Sequence, residues 1–250
     1  MSEGWDIEGA RDVSNIVAVG GAPRYRLVYT ISYPLLMFIA YTLVFFQYCK
    51  HRDNVFNSPF ALTTLESIEV YRYYTYSYLH YDLLHYASNM YVWLILSSMV
   101  SYDSGFIRTF AMHTTAIVGG AFGVGWEARI KKTNINVVGA SGGMYGMLSS
   151  IFGDLVLNWN EMDRIKRIVY TGILTETILS EIITNTVYYN PMISCSDHFG
   201  GFIYGIFGGL IFSKNINLKK WEKKMQIGIG TCITTVTIVN FVNFILLQNR

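Results

Sequence analysis

The chain has 250 residues, of which 52% are hydrophobic and 14% are charged, and its mean hydropathy is +0.30. Because soluble domains typically carry about a quarter charged residues, this composition excludes a water-soluble globule and indicates a protein that lies within a bilayer. The formal net charge of +2 is small and dispersed, without a basic stripe interleaved with aromatics, which argues against nucleic acid as a partner.

The first 30 residues are of mixed polarity and lack an early apolar core, so they predict a tail rather than a cleavable signal peptide. A hydrocarbon core of roughly 30 Å requires apolar helical runs of about 20 residues, and seven such runs follow the tail. We predict membrane spans at 31–49, 79–100, 106–126, 135–157, 166–187, 191–213 and 226–247. The predicted fold is an all-α polytopic membrane helix bundle, divided into the tail 1–30, a six-span core 31–213, and a basic loop with the seventh span at 214–250.

Lys and Arg are distributed unequally between the two sides of these spans. The side that includes the amino terminus carries 12 of them and the opposite side carries 7. Because cytosolic loops carry the excess of positive charge, the amino terminus is predicted to be cytosolic. On the opposite side lies the only long loop, 50–78, where the stretch from Pro59 to Tyr71 predicts a short interfacial helix.

The fifth span has the weakest apolar pattern, because Glu176 and Glu181 lie inside it. An ionisable side chain at membrane depth is expected to face protein or water rather than lipid. A helix lying on the membrane surface is the alternative for this segment.

Three residues with catalytically capable side chains fall at one predicted depth. Spans two, four and six run in the same direction, and His85, Ser141 and His198 each lie about seven residues from the outer end, which is roughly 10 Å below the outer surface. A common depth on three helices favours one shared site.

Ser141 lies in a glycine-rich segment, Gly-Ala-Ser-Gly-Gly. A serine hydroxyl becomes an effective nucleophile when a base accepts its proton, and flanking glycines would let a substrate backbone approach it. Helix packing is the alternative, since glycines four residues apart are typical of transmembrane interfaces. His198 precedes a ridge of glycines in span six, which would bring spans four and six close enough for the imidazole to reach Ser141.

Span two offers polar groups for a developing oxyanion. On a helix, residues four apart lie about 40° apart and residues five apart about 140° apart. His85 and Asn89 therefore share a face, whereas His80 is predicted to diverge from His85. His85, Asn89 and the amide of Ser141 could donate hydrogen bonds to an oxyanion, and interhelical hydrogen bonding is the alternative use of the two side chains.

A zinc site is the rival use of the histidines. Cys195 and His198 have the spacing of half a zinc pair. The second half is missing from the sequence, and His51 and His113 fall at other depths, so we predict no metal and no cofactor.

Four motifs together resemble the rhomboid family of intramembrane serine proteases. They cover the chain from the first loop through span six, and Tyr71 stands where the family usually has Trp. In order, the motifs are Tyr71-Arg72; His80, His85 and Asn89; the G-x-S-G of Gly139 to Gly142; and His198 with Gly201 and Gly205. Six core spans followed by one more resemble the secretase type of eukaryotic rhomboid, and the residue usage is compatible with an AT-rich genome such as an apicomplexan parasite's.

The resemblance implies a rhomboid fold and a catalytic dyad of Ser141 as nucleophile and His198 as general base. It further implies that Tyr145 stacks on the His198 ring and that His85, Asn89 and the Ser141 amide form the oxyanion hole. Structural roles are implied for the remaining motif residues, which are Gly139, Gly142, His80, Arg72, Gly201 and Gly205. Asp197 adjoins His198, but neighbouring residues on a helix point about 100° apart, so a Ser-His-Asp triad is not expected.

The resemblance also implies partners and location. The expected substrates are single-span membrane proteins, cleaved in or next to the transmembrane segment, and the expected location is a membrane of the secretory pathway, the plasma membrane or a secretory organelle. In the family, span five is the expected lateral gate. Two other function classes remain open, which are a non-catalytic rhomboid-like protein that binds membrane clients and a small transporter or channel, although no inverted repeat is visible.

Overall fold

The computed structural model describes residues 23–48, 52–64, 69–188 and 193–248. These residues form eight α-helices and one pair of two-residue strands. The helices are α1 (Pro23–Tyr48), α2 (Arg72–Thr75), α3 (Leu83–Ser104), α4 (Phe106–Lys131), α5 (Ser141–Asn158), α6 (Arg164–Thr186), α7 (Cys195–Phe212) and α8 (Lys220–Gln248). The antiparallel strands are β1 (Leu62–Thr63) and β2 (Asn136–Val137), and 3₁₀ helices cover Arg52–Asn57 and Tyr76–Tyr78. The predicted all-α helical bundle is confirmed.

Each predicted span corresponds to one long helix, but several boundaries differ. The fourth span was predicted from residue 135, whereas α5 begins only at Ser141, because 136–137 pair with β1 across the bundle. The first helix starts at Pro23, inside the predicted tail, and residues 1–22 lie outside the described residues. Two of the helices contain a segment that is long and apolar enough by itself to cross a membrane, 30–48 and 220–242.

The first long loop is folded differently from the prediction. In place of an interfacial helix from Pro59 to Tyr71, the chain makes a turn, strand β1 and then the one-turn helix α2, with residues 65–68 outside the described part. Arg72 organises this loop, because its guanidinium donates to the carbonyl oxygen of Ala61 at 3.1 Å and pairs with Glu69. The helix prediction was wrong because strand pairing with β2, more than 70 residues away, overrides the local pattern.

The outer surfaces of the helices are apolar. On α1, for example, Leu35, Leu36 and Ile39 are exposed, while Tyr33 and Tyr41 on the opposite side are fully buried. A soluble domain would bury such side chains, whereas a bilayer solvates them without cost. The helices therefore expose apolar side chains on their outer surfaces and also pack on a buried apolar core.

Helix α7 packs between α4 and α5, and glycines allow both approaches. A Cβ on Gly201 would overlap the carbonyl oxygen of Gly142, and one on Gly205 would overlap that of Gly146, so α5 and α7 meet backbone to backbone. On the other side, a Cβ on Gly200 would overlap the carbonyl oxygen of Gly119 in α4. Close glycine contacts of this kind are how transmembrane helices gain packing energy.

Two adjacent glycines of α7 provide a test of this packing. A Cβ on Gly209 would overlap the carbonyl oxygen of Ser150, whereas a Cβ on Gly208 would lie 3.6 Å from Met112, an ordinary contact. We expect Gly209→Ala to lower the stability of the purified protein by about 1–3 kcal/mol through overpacking, measured as a fall in the thermal unfolding midpoint in detergent. The Gly208→Ala protein should unfold at the wild-type temperature, and equal midpoints for the two variants would contradict the proposed contact.

Aromatic rings fill the space between α1, α3 and α4. His113 is fully buried there, with the Tyr33 hydroxyl 2.7 Å from Nδ1 and the Tyr41 hydroxyl 3.3 Å from Nε2. The Trp93 ring lies 4.4 Å from the imidazole and donates its N–H to the carbonyl oxygen of Pro34. Because both ring nitrogens of His113 are engaged, this histidine serves the core.

An ionic cluster holds the amino-terminal end of α6. Lys166 Nζ lies 2.9 Å from Asp103 Oδ1 of α3 and 2.8 Å from Asp154 Oδ2 of α5, and the Tyr170 hydroxyl donates to Asp103. Half-buried charges are stable only when they are paired in this way. Three helices are thus joined at one end of the bundle.

Candidate active site

Ser141 is the first residue of α5, and the backbone just before it makes a sharp turn. Gly139 has φ +136°, a conformation that side-chain-bearing residues rarely adopt. The Gly139 amide donates to the carbonyl oxygen of Tyr76 at 3.1 Å, which fixes the turn. Ala140 supplies no capping side chain, so Ser141 stands at a helix amino terminus, where unsatisfied amides carry partial positive charge.

His85 and Asn89 of α3 lie against this turn. A Cβ on Gly139 would lie 2.8 Å from His85 Cε1 and 3.9 Å from Asn89 Nδ2. Asp82 caps α3 by accepting the His85 amide at 2.7 Å, and the Tyr81 ring stacks on the His85 imidazole at 4.4 Å. Glycine at 139 therefore has a second role, which is to leave room for the imidazole.

His80 does not lie on the helix that the spacing predicted. It precedes the first residue of α3, so the 140° divergence from His85 was wrong, and the two rings lie 5.1 Å apart. His80 is fully buried and packs edge-on against Tyr86 and Tyr41. Its position behind His85 supports the imidazole that faces the site.

His198 lies in the first turn of α7, which Ser194 caps by accepting the Asp197 amide. The Tyr145 ring, one turn after Ser141, stacks on the imidazole with centroids 4.1 Å apart and planes inclined by 14°. This stacking fixes the plane of the ring. On its Nδ1 side, the imidazole lies 3.3 Å from Glu181 Oε2 of α6.

The side chains brought together in this way line one cavity of about 910 Å³, which we call the polar cavity. It is bounded by α3, α5, α6, α7 and the β2 segment, and its lining includes His85, Asn89, Ser141, Tyr145 and His198. The Gly142–Gly201 contact lies next to Ser141 and one turn after His198. Ser141 and His198 thus lie where the close contact between α5 and α7 begins, in the first turns of their helices rather than two turns inside.

Two polar atoms on the α3 side of the polar cavity have no hydrogen-bond partner among the described residues. They are Asn89 Nδ2 and His85 Nδ1, and both are buried. A buried donor without a partner costs about 1–3 kcal/mol, so such groups are uncommon unless a ligand or a reaction intermediate uses them. Their location beside the start of α5 suits hydrogen bonding to a negative charge that develops at Ser141.

The Asp197 carboxyl faces the 3₁₀ helix and the start of α5, although Asp197 neighbours His198 in sequence. Its Oδ1 accepts the Tyr76 hydroxyl at 2.6 Å, and its carboxyl lies within reach of the Ser141 hydroxyl and the Gly142 amide. Burial, and then the adjacent Asp197 carboxyl, raise the pKa of Tyr76 well above its ordinary value, so this hydroxyl stays a donor. Asp197 therefore ties the first turn of α5 to the 3₁₀ helix.

Among the described residues, no group of three His, Cys, Asp or Glu side chains could hold a metal ion. Cys195 is partly exposed, and its sulfur lies 3.9 Å from the carbonyl oxygen of Ile193. The Cys195–His198 pair thus gains no further ligand from the fold.

Sequence comparison identifies the family. The profile of the Rhomboid domain matches residues 67–215, which is more than half of the chain and includes every lining residue named above. The chain belongs to the rhomboid family. It is accordingly an integral membrane protein. Helix α1 ends before the matched region, and α8 begins after it.

Several curated rhomboid proteins are similar to this chain. RHOMBOID-like protein 5 of Arabidopsis thaliana is 29% identical over 59% of this chain and 45% of its own length. RHOMBOID-like protein 1 of the same plant is 27% identical over 58% of this chain and 35% of its own, and human Rhomboid-related protein 3 is 28% identical over 38% and 22%. The chain spans less than half the length of these curated relatives.

From the sequence alone, several residues that shape the site were assigned no site role. Tyr76, Asp197 and Tyr81 contact the serine and histidine segments, and Glu181 contacts the imidazole itself. For Glu181 a signal existed, because an ionisable residue inside a weak span is expected to face protein. The others depend on contacts between distant parts of the chain.

Proposed function

We propose that this rhomboid protein is an intramembrane serine endopeptidase that uses Ser141 and His198. The observation that supports this most is the close contact of the first turns of α5 and α7, with both side chains on the polar cavity and the partnerless Asn89 amide beside them. Nucleophile, base and oxyanion donors are what acyl transfer requires. Both reactive residues are present, which favours catalysis over a purely client-binding role.

The reaction follows from these groups. Ser141 Oγ attacks the scissile carbonyl carbon while its proton passes to His198 Nε2, and Asn89, His85 and the Ser141 amide donate to the oxyanion. The protonated imidazole then gives its proton to the leaving amine, which yields an acyl-enzyme on Ser141. Water then attacks the carbonyl carbon of the acyl-enzyme, with His198 as base. The new carboxylate leaves, and the imidazolium returns its proton to Ser141 Oγ.

The substrates would be single-span membrane proteins that reach the polar cavity from the bilayer. A helical substrate must unwind locally, because its backbone groups are bonded to one another, so Gly, Ala or Ser near the outer end of its transmembrane segment would favour cleavage. Entry beside α6 suits this substrate, since α6 packs mainly on α5 and keeps Ile178 and Ile182 exposed. A cytosolic amino terminus, the seven-span arrangement and a secretory membrane are part of the same proposal.

A serine-directed probe tests the proposal. A fluorophosphonate should label Ser141 in the folded, detergent-solubilised protein, with the modified peptide identified by mass spectrometry, because only an activated hydroxyl reacts at a useful rate. The Ser141→Ala protein and the heat-unfolded wild type should remain unlabelled. A folded wild type that neither reacts with the probe nor cleaves a reconstituted single-span substrate would favour the client-binding function instead.

A further inference from the structure

The imidazole of His198 has a carboxylate contact that a serine–histidine dyad does not require. Glu181 Oε2 lies 3.3 Å from Nδ1, and the two residues come from different helices, α6 and α7. Their side chains are only 21% and 10% exposed, so water screens the interaction in part but does not replace it. This contact is made on the ring nitrogen that would not face the nucleophile.

The carboxylate of Glu181 is held in position by its own helix and by α5. Asn185, one turn later, donates Nδ2 to Glu181 Oε1 at 3.0 Å and to the Glu181 carbonyl oxygen at 2.8 Å. The Tyr145 hydroxyl also lies within hydrogen-bonding reach of Glu181 while its ring stacks on His198. Glu181 is thus oriented by two neighbours, one of which also orients the imidazole.

The helix that carries Glu181 is fixed at its other end. Lys166 lies in the first turn of α6, and it joins that turn to Asp103 and Asp154. Glu181 lies 15 positions after Lys166 on one continuous helix, about 22 Å away at 1.5 Å per residue. The ionic cluster therefore sets the register of α6 with respect to α5, and that register determines whether Glu181 meets His198.

A carboxylate at Nδ1 determines which nitrogen of a neutral imidazole carries the proton. A carboxylate only accepts hydrogen bonds, so the N–H must be on Nδ1 and the free lone pair on Nε2, which is the atom required to take the Ser141 proton. The same carboxylate stabilises the imidazolium that forms when this proton arrives, without itself taking the proton. Asp197 cannot do this, since its bonds go to Tyr76 and to the start of α5.

Building on the proposed protease function, we propose that Glu181 is a positioning residue that completes a Ser141–His198–Glu181 triad. The Nδ1 proton stays on the histidine in every step, and Glu181 fixes the tautomer and the ring orientation. Asn185 supports the carboxylate. The general base, His198, thus depends on a residue of α6, the helix beside which the substrate would enter.

The test compares Glu181→Gln with Glu176→Gln, which removes the other carboxylate of α6. Glu176 also lines the polar cavity, so this variant controls for the loss of charge beside the site. We expect Glu181→Gln to lower both kcat and the rate of fluorophosphonate labelling of Ser141 by about 10- to 150-fold, the value of a hydrogen bond to a charged group. KM and the thermal unfolding midpoint should stay at the wild-type values. Asn185→Ala, which keeps the carboxylate but removes its support, should give a smaller loss in kcat.

The outcomes separate this inference from the protease function. If the wild type is active and Glu181→Gln retains its kcat and labelling rate, the triad is overturned while the protease function stands. A rise in KM at constant kcat would assign Glu181 to substrate entry, and equal losses in Glu176→Gln would indicate a general charge effect; each result also overturns the triad. An inactive, unlabelled wild type would overturn the protease function itself.

Discussion

Replacement of Ser141 by alanine is expected to reduce the rate of substrate cleavage by about 10⁴-fold or more, the usual effect of removing the nucleophile of a serine hydrolase. The other serine and threonine hydroxyls that line the polar cavity have local partners. Thr177 donates to the carbonyl oxygen of Ile173, and Ser194 caps α7 and lies 3.3 Å from the Ser196 hydroxyl. Ser180 donates to the carbonyl oxygen of Thr177 and Ser88 to that of His85, each within its own helix. The loss should appear in kcat, since binding of a transmembrane helix does not depend on this hydroxyl. Cleavage of a reconstituted single-span substrate, followed by gel electrophoresis of the products, measures it.

Ser150→Ala is the matched control for this experiment. Ser150 lies on the same helix, is buried, and donates to the carbonyl oxygen of Met147 at 2.7 Å, away from the polar cavity. Its removal should leave cleavage unchanged. Cleavage by Ser141→Ala at the wild-type rate would disprove the assigned nucleophile, whereas a Ser150→Ala protein as inactive as Ser141→Ala would show that the loss comes from damage to α5.

Ser141 and His198 could be identified as candidates from the sequence because they lie in short local motifs. The glycines that accompany Ser141 and His198 predict the close approach of their helices, and Gly142 and Gly201 do meet in the structure. The apolar runs of about 20 residues likewise predicted one long helix for each span. These features depend on residues that are near one another in sequence.

Contacts between distant segments could not be predicted in this way. The start of α5 at Ser141 depends on strand pairing between Leu62 and Val137, which a hydropathy pattern does not encode. The Tyr76–Asp197 hydrogen bond joins residues 121 positions apart. Glu181 was noted as an ionisable residue in a weak span, but only the register of α6 against α7 identifies His198 as its partner.

Replacement of Asn89 is expected to have the second large effect on catalysis, because its amide is a buried donor without a partner among the described residues. Replacement by leucine, which is similar in size, should lower kcat by about 10²–10³-fold if the amide donates to the oxyanion. KM should change little, since the oxyanion exists only during the reaction and not in the bound substrate. Initial rates over a range of substrate densities in the bilayer would separate the two constants.

The stability of Asn89→Leu distinguishes an oxyanion donor from interhelical hydrogen bonding. An interhelical hydrogen bond would be lost in the variant and the unfolding midpoint would fall. A donor that has no partner in the resting protein costs about 1–3 kcal/mol when buried, so its removal should leave the midpoint unchanged or raise it. We therefore expect Asn89→Leu to lose catalysis without losing stability. A donor that is preorganised for the transition state lowers the stability of the resting protein.

Ser97→Ala provides the comparison on the same helix. Ser97 is fully buried on α3, two turns beyond Asn89, and donates to the carbonyl oxygen of Trp93 at 2.5 Å, so it makes the kind of local bond that Asn89 lacks. Its removal should leave kcat unchanged. If Asn89→Leu lowers the unfolding midpoint as well as kcat, the amide has a structural partner and the oxyanion hole must be sought in His85 and the Ser141 amide alone.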